Sequence, residues 1–233
     1  MKKNILILAL LCMVMGAPLF AHNAGDIAIN PEVRLGLIIP DIKYKALKDP
    51  DASVGFDWGV GATGNYFFFP WLSANAGLGL GGFIDGAFYN SSSTSSGSSS
   101  VVNTYVVTHL SIPFGVRLNA RAFVAGLGLI PYIPLSAAAE YTGTSTGGGS
   151  SSSISAKDDK FKAKPFLGGY LDIGFDLGGR DEKTHGFGMV MRLGTGFADP
   201  IASSENIDFS SFKHINVSLI FNYMFRVANV RGN

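Results

Sequence analysis

From His214 to Phe225 the chain alternates with a strict period of two. Ile215, Val217, Leu219, Phe221, Tyr223 and Phe225 fall on one side of an extended strand, and His214, Asn216, Ser218 and Asn222 on the other. Seven earlier segments repeat the pattern. The first sets Ile29, Val33, Leu35 and Leu37 against Asn30, Glu32 and Arg34; the second sets Val54, Phe56, Trp58 and Val60 against Gly55, Asp57 and Gly59. The third opposes Leu78, Leu80 and Ile84 to Gly77, Gly79 and Asp85, and the fourth opposes Val106, Leu110 and Val116 to Tyr105, His109 and Arg117. The fifth sets Phe123, Leu127, Ile133 and Leu135 against Gly126, Gly128 and Glu140, which puts Glu140 on the polar side. The sixth sets Phe161, Leu167, Leu171 and Phe175 against Lys162, Lys164, Asp172 and Asp176, and the seventh sets Phe187, Met189 and Met191 against Gly188 and Arg192. The chain therefore predicts an all-β fold of eight antiparallel strands, arranged up and down.

The connections alternate in length. Short links are expected at Phe69-Pro70-Trp71, at Asn119-Ala120 and at Gly178 to Thr184. Long polar ones are expected at about Pro40 to Ala52, Asn90 to Ser100, Thr142 to Lys160 and Asp199 to Ser211. Two of the long ones are Ser/Gly tracts with too little apolar area to offset ordering entropy, and are expected to be mobile loops. Neither carries the Lys that a phosphate-cradling loop needs after its spaced glycines.

Alternation does not say which face points inward. The polar face is dominated by Gly with Ser and Asn, which suits the cramped interior of a narrow barrel better than a solvated surface. Aromatic residues gather near strand ends: Tyr66 to Phe69, Trp71, Phe175, Tyr223 and Phe225 at the short-turn end, and Phe88, Tyr89, Tyr141 and Phe161 near the long links. Such girdles mark the two interfaces of a bilayer. The expectation is a transmembrane barrel, apolar outside. Pro31, Pro113, Pro131, Pro134 and Pro165 fall inside proposed strands, where a closed barrel has no edge to excuse a missing donor. Bulges or protruding strand ends would accommodate them.

The N-terminus fits that destination. Met1-Lys2-Lys3, the apolar run Ile5 to Met15 and Gly16 to Ala21 have the layout of a secretory signal peptide cleaved after Ala21. The run is shorter than the roughly 20 residues of a spanning helix. Cys12, the single cysteine, would leave with it, so disulfides, thiolate metal sites and a Cys nucleophile are excluded. Residues 22–233 then form one barrel domain, with strands over about 26–225 and a short tail. Charged residues are 15% of the chain and the net charge is +1, which offers nucleic acid no footprint.

Residues 26 to 225 resemble the small bacterial outer-membrane β-barrel proteins, the porin-like or OmpA-transmembrane-like group. Thr108 to Leu118, T-H-L-S-I-P-F-G-V-R-L, is similar to an I-P-x-G-x-R strand common among them, and a last strand carrying Tyr223 and ending on Phe225 resembles their assembly signal. The resemblance implies a monomer in the outer membrane, in contact with its lipid, delivered by the barrel-assembly machinery, with surface loops open to an extracellular ligand.

The inward charges are the candidate functional residues: Glu32, Arg34, Asp57, Asp85, Arg117, Glu140, Lys162, Lys164, Asp172 and Arg192. A charge in a tight interior is costly unless partnered, so they are expected to pair, with Asp172 near Arg192 on adjacent strands. His109 and Ser111 are similar to the His-x-Ser pair of outer-membrane lipid A deacylases, with His as base and Ser as nucleophile. Here both are expected to face the lumen, away from lipid. No metal-ligand spacing and no GxSxG elbow is present, and no cofactor is expected. Two classes of function follow: a non-catalytic barrel displaying four surface loops in a structural or adhesive role, or a narrow conduit for small solutes or apolar compounds.

Overall fold

The computed structural model describes residues 22–44, 52–94, 97–120, 122–147, 150–158, 161–176, 185–197, 201–203 and 209–230. The expected signal peptide and the Gly178–Thr184 link lie outside them, as do the side chains of Phe88 and Tyr89. The elements are β1 (Asp26–Tyr44), β2 (Ala52–Phe69), β3 (Leu72–Thr94), β4 (Gly97–Ser111), β5 (Phe114–Ala120) and β6 (Phe123–Gly147). They continue as β7 (Ser150–Lys157), β8 (Lys162–Ala163), β9 (Phe166–Asp176), β10 (His185–Gly196), β11 (Ile201–Ser203) and β12 (Phe209–Asn229).

The sheet closes on itself. β1 pairs with β2 on one side and with the last strand, β12, on the other; the ring continues through β10, β9, β6, β4 with β5, and β3 back to β2, every pairing antiparallel. β4 and β5 both lie between β3 and β6, so they occupy one wall position and the described residues form eight. The break between them is at Ile112-Pro113, where proline has no N–H for the ladder. Closure leaves the eight-position wall without an edge, the requirement for backbone lying in lipid.

The other prolines act locally. Ile29 pairs with Phe225 and Glu32 with Asn222, but the β1–β12 ladder skips Asn30 and Pro31. Pro165 lies between β8 and β9 rather than inside a strand. Next to Pro134, the β4–β6 register steps from Thr108↔Ser136 to His109↔Pro134, leaving Leu135 as a bulged extra residue. A one-residue insertion turns every later side chain to the opposite face. Tyr132 points inward before the bulge and Ala139 after it.

Three expectations are corrected here. The described residues of the Ser/Gly tracts are paired strand, not loop. β3 and β4 continue as a hairpin from Asp85↔Tyr105 to Thr94↔Gly97, and β6 turns back into β7 with Thr144↔Ser153 and Ser145↔Ser152. The wall strands template these ladders, so backbone pairing continues where apolar burial has stopped. The last wall strand does not end at Phe225 either: β12 runs on to Asn229, which pairs with Asp26. Finally, Phe161 and Phe67 belong to the interior, 5% and 2% exposed, rather than to the girdles.

Candidate functional site in the barrel lumen

Gly, Ser and Asn leave room inside the ring, and the lumen is filled in three layers. The floor, at the short-turn end, is Ala28, Phe67 and Met224, with His22 stacked on Phe67 at 3.9 Å between ring centres. Burial holds the His22 imidazole down at about 4, against the opposing pull of the Asp26 carboxylate. Asp26 fastens this end. It accepts from the Asn23 backbone N–H at 2.8 Å and from Asn229 Nδ2 at 2.7 Å, and it meets Arg226 Nη2 at 3.1 Å.

The middle layer holds most of the expected charges. Arg34 Nε lies 2.9 Å from Asp57 Oδ2, and its Nη2 donates to Oδ1 at 3.2 Å. Ser218 Oγ donates to the same Asp57 at 2.9 Å. Arg192 grips Asp172 through Nε and Nη2, both at 2.8 Å, and its guanidinium lies 4.2 Å above the Tyr170 ring. Arg117 Nη2 is 3.5 Å from Asp176 Oδ2, and Thr63 Oγ1 donates to Glu32 at 3.3 Å. Asp85 is fully buried with neither carboxylate oxygen hydrogen-bonded, opposite Gly55, where any Cβ would run into it.

Three of the expected lumen charges lie elsewhere. Glu140 is on the outer face, because the Leu135 bulge reverses the parity of β6; it accepts from Ser155 Oγ at 2.7 Å across the β6–β7 hairpin. Lys162 and Lys164 are exposed. Lys162 belongs to the small β8–β11 sheet, and β9 enters the wall only at Phe166.

The upper layer is aromatic. Phe83, Tyr105, Tyr132, Phe161, Phe166 and Tyr170 pack with Ile38, Val107, Ile130 and Ala139. Five rings make a closed circuit of contacts around the lumen. His214 meets Phe83 at 5.7 Å, Phe83 meets His109 at 6.1 Å, His109 meets Tyr132 at 4.8 Å, Tyr132 stacks on Phe166 at 4.6 Å, and Phe166 returns to His214 at 5.6 Å. Above it Phe161 contacts Tyr105 at 5.6 Å. Sequence reasoning did not single out this plug. Its signal was available: bulky aromatics at Phe83, Tyr105, Tyr132 and Tyr170 interrupt an inward face otherwise made of small and polar or charged residues.

His109 and Ser111 both point inward, and the Ser111 hydroxyl donates to the Gly79 carbonyl at 3.3 Å. Among the described residues no group of three His, Cys, Asp or Glu side chains is placed to hold a metal ion.

The outer surface decides the setting. Leu37, Ile39, Leu127, Leu135, Ile215 and Phe225 stand exposed around the wall, Leu37 by 60%, while Asp57, Asp85, Arg192 and Asn216 are sealed inside. A water-soluble barrel does the reverse; a contiguous apolar belt on this scale is stable only against lipid. The chain is a membrane-spanning β-barrel of the outer-membrane type. Aromatic pairs at the short-turn end, Phe69 with Trp71 at 5.4 Å and Tyr223 with Phe225 at 4.8 Å, form the girdle there.

No family model matches the chain, and no curated protein does. Three such barrels are among the solved structures to which it is similar. They are the attachment invasion locus protein Ail of Yersinia pestis (12% identity, 84% of this chain and 98% of that one, TM-score 0.31), Neisserial surface protein A (10%, 87% and 97%, 0.31) and the outer membrane protease OmpT of Escherichia coli (10%, 88% and 97%, 0.34). The membrane assignment rests on this chain's own inside-out wall.

Proposed function

We propose that this barrel sits in a bacterial outer membrane as a monomer and works by display, holding a polar sheet outside the cell for a ligand or surface to bind. The observation that carries this reading is the height of β3, β4, β6 and β7. The apolar exterior of β6 stops at Leu135; above it the outward residues are Ser136, Ala138 and Glu140, and the four strands continue as one antiparallel sheet. About 9–11 residues cross a bilayer, and β6 has 25. Thr144, Ser145, Ser152, Ser153 and Ser155 present exposed hydroxyls there, with Ile154 protruding at 74% exposure. Hydroxyls on a templated sheet donate and accept hydrogen bonds at little ordering cost, which suits sugars and polar protein surfaces.

The same arrangement supports reading the role as non-catalytic. His109 and Ser111 lie inside the wall, where a lipid substrate in the bilayer does not reach them. The Tyr223 and Phe225 side chains face lipid at the short-turn end, which suits recognition by the barrel-assembly machinery before insertion.

The test compares cells displaying the full chain with cells displaying a form whose two hairpins are replaced by two-residue turns. Adhesion to immobilised glycans and extracellular-matrix proteins is measured for both. The expected result is specific adhesion by the full chain, falling about tenfold or more for the shortened but folded form. Equal adhesion by the two forms, or none by either, would overturn the reading.

A further inference from the structure

We propose that the aromatic circuit in the upper lumen is a gate that acid opens, so that the barrel, closed at neutral pH, conducts ions when His109 and His214 take up protons. β12 and β4 lie opposite each other in the ring of eight wall positions, so His214 and His109 reach into the lumen from opposite walls. Phe83 lies between them on one side, and Tyr132 with Phe166 completes the ring on the other. Two of the five members that block the lumen are therefore histidines, the members that acid can charge.

Neutral imidazoles suit this layer as flat apolar rings. Imidazolium ions do not, because each has two N–H donors that need acceptors. Neither nitrogen of His109, nor Nδ1 of His214, has a hydrogen-bond partner, and both side chains are almost wholly buried.

The charges facing the pair worsen the problem. Arg34 on β1 and His214 itself act on His109, both disfavouring a second positive charge. Asp57 on β2 faces His214, but Arg34 and Ser218 already hold its two oxygens. Arg192 on β10 faces Tyr132, Asp85 on β3 is close enough to feel Asp57, and Glu140 of β6 is turned to the outside. The unpaired Asp85 carboxyl lies over Gly55 and bonds neither ring, so two protonated rings lower their energy by swinging toward the aqueous mouth. That removes two of the five members.

Beneath the circuit lie the Arg34–Asp57 and Arg192–Asp172 pairs and the buried Val124, Val190 and Ile220, and the floor carries a third histidine, His22, packed on Phe67. Acid therefore strains both constrictions in the same direction.

The test is planar-bilayer conductance of the folded, heat-modifiable protein at about pH 7.5 and about pH 4. The wild type is expected to be silent at the higher pH, with channel openings at least about tenfold more frequent at the lower one. His109→Phe/His214→Phe keeps the ring but removes its titration, and is expected to stay silent at both. His109→Gln and His214→Gln, made singly, serve if the double variant does not fold, and each is expected to lose at least half of the acid-induced openings. A wild type silent at acid pH overturns the proposal, as does one open at both pH values. Acid openings that persist in the double variant, or unchanged in both single variants, overturn it too. Hairpin-dependent adhesion is measured separately, so the display reading survives any of these results.

Discussion

Asp172 on β9 and Arg192 on β10 face each other across one rung of the ladder and are joined by two contacts of 2.8 Å, with the Tyr170 ring beneath the guanidinium. The fork-on-carboxylate geometry is the strong form of the ion pair. Removing one partner strands a charge inside a narrow lumen, so Asp172→Leu and Arg192→Leu are each expected to cost about 3–5 kcal/mol. The double variant is expected to cost less than either, because nothing is left unpaired. Urea unfolding from lipid vesicles measures all three, and costs that simply add would show that the pair is not coupled.

Phe83 touches both histidines of the aromatic circuit. Phe83→Ala deletes two of the circuit's five contacts and leaves a cavity in the aromatic layer, at a cost of about 3–5 kcal/mol. The variant is expected to leak current at neutral pH where the wild type is silent. Conductance and denaturation on the same preparation check both halves.

Small residues on the inner face leave space that a neighbour occupies. A Cβ on Gly194 would meet the Asn216 side-chain carbonyl, and on Gly128 the Phe114 carbonyl with the Tyr170 hydroxyl close by. Gly194→Ala is expected to destabilise the barrel by about 1–3 kcal/mol through overpacking. Gly143, with nothing within 4 Å of its Cβ position, is the control: Gly143→Ala is expected to leave the unfolding midpoint unchanged.

The N-terminal segment is expected to respond to acid through His22, whose imidazole is held at about 4 against an ordinary value of 6.5. Between those values the unfolded segment binds more protons than the docked one, so docking strengthens as pH rises through the window and weakens as it falls. The Gly25 N–H donates to the Phe67 carbonyl at 2.7 Å and reports docking. Its hydrogen exchange, corrected for intrinsic rate, is expected to speed up as pH falls from about 6.5 to about 4, and His22→Phe is expected to abolish the dependence.

The wall was legible in the sequence because period-two alternation is a direct consequence of strand geometry, and the Gly-rich face told inside from outside. Reading failed where one residue changed parity. Nothing in Ile133-Pro134-Leu135-Ser136 states that Leu135 is skipped, yet that skip turns Glu140 from the lumen to the outer face. It failed again where composition was taken for conformation: Ser98 to Ser100 and Ser150 to Ser153 lack apolar area, but they pair with β6, a strand begun inside the membrane, and so continue as strand. Asp172 and Arg192 were within reach because adjacent strands and equal depth suffice to bring them together. The aromatic circuit was not, since it joins residues from five strands whose relative stagger only the closed barrel defines.

The central claim is that the apolar face of the wall meets lipid and the polar face is enclosed, and site-directed spin labelling along β12 tests it most directly. Cys12 is the chain's single cysteine, so in a Cys12→Ser background single cysteines at each position from 215 to 224 can be labelled cleanly in protein folded into lipid vesicles. The expected result is a period-two profile. Labels at Ile215, Val217, Leu219, Phe221 and Tyr223 should collide freely with oxygen and hardly at all with a water-soluble nickel chelate, while those at Asn216, Ser218, Ile220, Asn222 and Met224 should be shielded from both. Access of the nickel chelate to the odd-numbered positions would place that face in water and contradict the account.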